Sequence, residues 1–415
     1  MNSSTSSSTI EGTRAVHSKL STVRYALILG GLSAFPPLSV DMYIPALPRM
    51  TADLHADDAT LQFTLTGFIM GLALGQLVAG PISDSVGRRK PLLVGLVVYI
   101  ASSVLCALSP SAGLLITARC LQALGAAAAI VIARAIVRDL FSGREMTKFF
   151  SMLMLVSGLG PILAPVIGGQ ILRLTTWRGV FVVLIVFGSL LLIATVFALP
   201  EPLLPHHRRP ARLGSTLRTY RGLLADRAFL GYALAGGLAF GGLFAYISAS
   251  SFVLQDVYGL SPQQFSLVFG ANGVGIVVAG QLNGRLVGRF SERRLLGAGL
   301  LLATLGGVAL LVAAAFALPL PVLLVPLLCQ VASVGMIMPN SSSLGLAERP
   351  RNAGSASALQ GVLQFAIGGL ATPLVGIGGM TALPMGVVMA TFAVAALVVF
   401  VTMTRHRVAA PTSPA

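Results

Sequence analysis

The sequence predicts an all-α integral membrane protein with twelve spans in two six-helix halves and both termini on the cytoplasmic side. Three observations carry this. Of 415 residues, 55% are apolar and only 10% are charged, whereas a soluble chain is about a quarter charged. The apolar residues gather into runs near the roughly 20 residues that a helix needs to cross the hydrocarbon core. The basic residues fall between these runs, on alternate sides.

The Ser/Thr-rich residues 1–20 read as a disordered cytoplasmic tail. Spans then lie near 24–46, 60–81, 91–109, 112–134, 149–171 and 178–199, which makes 21–200 the N-terminal half. Residues 201–228 form a basic cytoplasmic linker. Spans near 229–252, 265–286, 295–315, 320–343, 354–376 and 380–402 make 229–403 the C-terminal half, and 404–415 a second cytoplasmic tail. Charge tests the count. With the N-terminus inside, 23 of the 28 Lys and Arg residues fall in cytoplasmic segments or their flanks, as membrane proteins require. Only Arg49, Arg173 and Arg178 fall outside, and Arg119 and Arg134 lie within spans.

The net charge of +15 does not indicate nucleic acid, because the charge flanks apolar spans and forms no basic stripe beside aromatics. The longest predicted soluble segment has no room for a nucleotide-binding domain. All five histidines lie in tails or loops, and Cys106, Cys120 and Cys329 lack metal-site spacing. An enzyme, a metal site and a cofactor are therefore not expected. The halves echo one another: Ala79-Gly80 and Val86-Gly87-Arg88 recur as Ala279-Gly280 and Val287-Gly288-Arg289, in keeping with transporters built from repeats.

Asp41 is the one acidic residue placed within a span. Burial disfavours a charged carboxylate, a condition for reversible protonation. Arg119 is the matching cation, expected at similar depth and facing the same central cavity. The plainer readings are that Asp41 caps a helix end and that Arg119 ties helices together. Arg134 lies nearer the cytoplasm, where it can snorkel. Pro36-Pro37 interrupts backbone hydrogen bonding, which suits a cavity-lining helix rather than a lipid-facing one. Candidate cavity residues are Tyr43, Gln122, Tyr246, Asn272, Gln330, Gln360 and Gln364, with the aromatics Phe35, Phe240 and Phe365 as weaker ones; for the amides, buried partners are the reason. In the loop from Gly80 to Pro91, Asp84, Gly87, Arg88 and Arg89 are candidates for an inner gate. In span 5, Gly158, Gly160, Pro161, Pro165, Gly168 and Gly169 permit close helix approach and bending, either as packing alone or as a rocker contact that seals the outer route.

Four patches resemble a known family: Asp41-Met42-Tyr43-Ile44-Pro45-Ala46-Leu47-Pro48, the Gly80–Pro91 loop, Arg119-Cys120-Leu121-Gln122-Ala123-Leu124-Gly125, and Gly158–Gly169. Together they resemble the major facilitator superfamily, and within it the drug:proton antiporters of the bicyclomycin and chloramphenicol resistance type. The resemblance implies alternating access, with Asp41 as the membrane-embedded acid, Arg119 as the span 4 arginine and Asp84, Gly87, Arg88 and Arg89 as the gating loop. It also implies a monomer in the bacterial inner membrane that exchanges protons for a small drug or antibiotic, neutral or zwitterionic, with lipid as its surroundings. A metabolite importer or exporter of the same fold is the rival expectation.

Overall fold

A computed structural model describes residues 19–141, 143–203, 208, 220–347, 353–377, 379 and 381–404. The chain is almost wholly helical. The six long helices of the first half are α1 (Lys19–Asp41), α2 (Asp58–Val86), α3 (Arg89–Leu108), α4 (Ala112–Leu140), α5 (Gly143–Leu174) and α6 (Arg178–Ala198). Those of the second half are α7 (Arg227–Phe252), α8 (Pro262–Leu286), α9 (Glu292–Ala315), α10 (Leu320–Leu346), α11 (Ala353–Leu374) and α12 (Ala382–Met403). Among the described residues, ten stretches are long and apolar enough to cross a membrane. The remaining two long helices, α5 and α11, pack between them.

Polar side chains set where several helices begin. Asp57 accepts the Thr60 N–H at 2.9 Å and starts α2; that bond holds its carboxyl below the usual range. Asp226 accepts two N–H groups at the start of α7. Ser261 and Gln264 form a reciprocal capping box on α8. Such caps satisfy the orphan donors of a first turn. Gly87 and Gly288 both take positive φ, 102° and 95°, so the echo read from sequence is also an echo of backbone geometry.

The two halves repeat the same packing. In the first, α2 and α3 pack on α4, α3 on α6, and α1 on α4, α5 and α6. In the second, α8 and α9 pack on α10, α9 on α12, and α7 on α10, α11 and α12. Every pair has its counterpart six helices later. The halves meet through α2 with α11 and α5 with α8, again an equivalent pair. Small residues allow the closest approaches: a Cβ at Gly71 would lie 2.6 Å from the Cys120 carbonyl oxygen, and one at Gly335 would lie 2.1 Å from that of Ile276. Outward faces carry Leu, Val, Ile and Phe, including Phe197 and Leu174 at 85% exposure, as lipid contact requires.

Two expectations shift. The first span was expected over 24–46, but α1 ends at Asp41 and is followed by a tight 3-10 turn, Ile44–Ala46, and a short helix, Leu47–Asp53. Pro45 and Pro48 lack the N–H groups that would continue α1. Pro36 and Pro37 stay inside the helix. Helices α2, α4 and α5 also run past the predicted spans, because polar caps and charged ends extend a helix beyond its apolar core. Most of the two tails and of the expected linker lies outside the described residues.

Candidate functional site

The outer end of α1 divides two sets of polar groups. One lies inside the N-terminal half. Arg119 on α4 is fully buried. Its Nη2 donates to the Ser39 carbonyl at 2.8 Å and its Nη1 to Gln122 Oε1 at 2.5 Å. Gln122 Nε2 donates to Ser103 on α3 at 2.7 Å. The guanidinium lies 4.5 Å from the Tyr43 ring centroid and 4.2 Å from that of Phe68. Tyr43 bonds Thr64 on α2 at 2.9 Å, and Ser39 bonds Tyr99 on α3 at 2.6 Å. Aromatic faces and neutral acceptors thus hold a buried cation in place of a carboxylate.

The other set faces the C-terminal half. Asp41 is 4% exposed and, among the described residues, forms no ion pair with Arg119 or any other cation. The Ile44–Ala46 turn that follows it packs on α7, which carries Tyr246, and on α8. The Tyr246 hydroxyl accepts from Asn272 Nδ2 on α8 at 3.1 Å, and its ring stacks on Phe269 at 5.2 Å. The same Nδ2 donates to the Val268 carbonyl, which leaves the buried Oδ1 without a partner among the described residues.

This corrects the expectation that Asp41 and Arg119 face one cavity. Arg119 grips the Ser39 carbonyl and the Tyr43 ring on either side of Asp41 and forms no ion pair with the Asp41 carboxylate among the described residues. Three proposed cavity residues are also locked inside single halves. Tyr43 and Gln122 belong to the Arg119 network. Gln330 donates to the Met389 carbonyl at 2.9 Å, between Gly242 and Gly307 of its own half. Gln360 is buried near Gly345, and half-buried Gln364 lies beside Gly236. Among the described residues, Tyr246 and Asn272 are the pair of the seven joined directly, across α7 and α8. Phe240 and Phe365 meet edge-on at 5.5 Å, whereas Phe35 packs on Tyr99 inside the first half.

On the basic face, Arg88 gathers the loop between α2 and α3. Its Nε donates to Asp139 on α4 at 2.7 Å, and its Nη1 to Ser83 at 2.8 Å and to Asp84. Glu201, placed in the linker by the sequence reading, has a larger part. It accepts the backbone N–H groups of Arg88 and Arg89 at 2.8 and 3.0 Å, where an anion meets the positive end of α3. Its one sequence signal is an acid just beyond the sixth span, opposite the Arg88-Arg89-Lys90 cluster. Arg89 Nη2 donates to the Val196 carbonyl at 2.6 Å.

The α5 residues divide between two neighbours. Gly160 lies against Pro37 and Gly168 against the Met42 carbonyl, both on α1 or its end. Gly169 abuts Ser266 of α8, and Ile162 fills the space at Gly273. Pro161 and Pro165 lie within the same helix; the surroundings of Gly158 lie outside the described residues. The segment therefore serves both as packing within a half and as contact between halves.

With twelve helices, two equivalent halves and this site in place, the comparisons with known proteins decide the family. The Major Facilitator Superfamily profile matches residues 29–373. The chain belongs to the Major Facilitator Superfamily. It is a multi-pass membrane transporter, not an enzyme. It is 42% identical to an uncharacterized MFS-type transporter, YdgK, of Bacillus subtilis, over 92% of this chain and 96% of that protein. A bicyclomycin resistance protein homolog of Haemophilus influenzae is 34% identical, over 88% of this chain and 92% of that protein. Among solved structures, a D-xylose-proton symporter superposes with a TM-score of 0.72 at 18% identity, covering 94% of this chain and 98% of that one; this likeness concerns the fold alone.

Proposed function

We propose that this transporter exports small organic drugs or antibiotics, neutral or zwitterionic, in exchange for protons, by alternating access. The observation that carries the reading is Asp41: a buried carboxylate at the end of α1 that forms no ion pair among the described residues, just before the Ile44–Ala46 turn that packs on α7 and α8 of the other half. A carboxylate left without a counter-ion in a dry setting binds a proton or a ligand donor in preference to remaining charged. A change in its charge therefore alters how the halves meet. Likeness to a protein named for bicyclomycin resistance supports a drug as cargo.

In this cycle the cytoplasm-facing state takes up drug, the halves rock, and a proton reaching Asp41 from outside favours drug release and return. Arg119 acts at one remove: it holds the Ser39 carbonyl and the Tyr43 ring, and so fixes where Asp41 points. The chain works as a monomer, since acid and partners come from one polypeptide, and the proton gradient is the driving force.

The test is reconstitution in liposomes with an imposed pH gradient and an internal pH dye, with chloramphenicol as the first drug. Drug-dependent proton flux opposite to drug flux, lost in Asp41→Asn with insertion unchanged, supports the reading. Proton and solute moving together would replace it with symport of a metabolite. Normal coupled transport by Asp41→Asn would remove Asp41 from the mechanism.

A further inference from the structure

We propose that Ser251 and Gln255 at the outer end of α7, with Gln263 at the start of α8, are the outer-gate residues of this transporter, closing it by donating hydrogen bonds to backbone carbonyls of the opposite half. The proposal rests on the alternating-access reading above.

The geometry is direct. Ser251 Oγ donates to the Ile44 carbonyl at 2.7 Å. Gln255 Nε2 donates to the Pro45 carbonyl at 3.2 Å and to Ser251 Oγ at 2.7 Å. Gln263 Nε2 donates to the Gly169 carbonyl at 3.1 Å. Each of these three donors belongs to the C-terminal half and each acceptor carbonyl to the N-terminal half. Backbone carbonyls can only accept, so they fix the orientation of both amides.

The sequence prepares both sides. On the N-terminal side, the 3-10 turn after α1 presents the carbonyls of Ile44, which also takes the Leu47 N–H, and of Pro45; Pro48 has no N–H to donate back to either, and a carbonyl has a second lone pair to offer. On the C-terminal side, α7 widens into a π-helical turn, Val253–Val257, a distortion that recurs at functional sites. Ser251 and Gln255 lie four residues apart and so share a face, which points them at consecutive carbonyls. Ser251 is fully buried. The latch starts three residues beyond Asp41, so while it is closed it separates the acid from the outer solution.

The bonding is neutral throughout, unlike the charged Arg88 cluster on the basic face. Each bond exchanges a protein carbonyl for water when the halves part, so the closed state is favoured only modestly. A gate of this kind opens at physiological cost, and its position does not depend on ionic strength.

Spin labels at Ala52→Cys and Val257→Cys, in a chain with Cys106, Cys120 and Cys329 replaced, measure the outer separation of the halves in proteoliposomes. The readout needs neither drug nor pH gradient, so it stands even if the antiport reading fails. Ser251→Ala with Gln255→Ala is expected to raise the outer-open population about fivefold or more. Ser251→Thr, which keeps the hydroxyl, is expected to retain the closed distance. Gln263→Ala is expected to shift the distribution the same way by less, and serves where the double variant fails to fold. A distribution unchanged by removing these donors would overturn the proposal. So would an equal opening in Ser251→Thr, because packing rather than hydrogen bonding would then close the gate.

Discussion

Arg119 donates to the carbonyl of Ser39 at 2.8 Å, two residues before the one membrane-embedded acid, and not to that acid. The cation holds the backbone that carries Asp41 and leaves the carboxylate to the other half. In the proposed cycle this separates two roles that a simple ion pair would merge: positioning by Arg119 and proton exchange at Asp41.

Substitution of Arg119 should therefore act through stability as well as coupling. Arg119→Ala leaves the Ser39 carbonyl and Gln122 Oε1 buried without their donor, at about 1–3 kcal/mol each, and removes the cation between the rings of Tyr43 and Phe68. Arg119→Lys keeps the charge but not the two-pronged geometry and should rescue only part. Thermal unfolding in detergent checks the order wild type, Lys, Ala.

Glu201 should prove to be an anchor of the inner loop. Glu201→Ala strips two backbone N–H groups of their acceptor, at a cost on the order of 1–3 kcal/mol. The expected sign is faster trypsin cleavage at Arg88 and Arg89 in inside-out vesicles, with slower transport. Unchanged cleavage would mean that Arg88, Asp84 and Asp139 hold the loop unaided.

Gly87 and Gly288 provide a matched comparison. Both have backbone angles that favour glycine, so Ala at either is strained by about 1–3 kcal/mol. At Gly87 the new Cβ would also lie 2.7 Å from Glu201 Oε2, whereas nothing lies within 4 Å at Gly288. Gly87→Ala should be the more damaging in both melting temperature and transport.

Gly168→Ala should fail where Gly113→Ala is tolerated. A Cβ at Gly168 would lie 1.9 Å from the Met42 carbonyl oxygen, a backbone atom that cannot step aside. Overpacking of this kind costs about 1–3 kcal/mol or more. No heavy atom lies within 4 Å of a Cβ at Gly113. Yield and monodispersity after extraction distinguish the two.

By itself, the sequence determined the long helices, their number and their division into halves, and it singled out Asp41 and Arg119 among the ionisable residues within spans. Lipid enforces these one-dimensionally: apolar length marks a span, charge marks a side, and an acid such as Asp41 inside a span is too costly to be incidental. Equivalent positions such as Gly87 and Gly288 were legible for the same reason. Only the tertiary structure decided rotation and partnership. Depth along an axis can be counted, but the direction of Asp41 at an irregular helix end beside Pro36, Pro37 and Pro45 cannot. That direction separated Asp41 from Arg119, turned Tyr43, Gln122 and Gln330 inward within their own halves, and brought Ser251 and Gln255 against carbonyls some 210 residues away. Such contacts join backbone atoms, which every residue carries, so no side-chain pattern announces them.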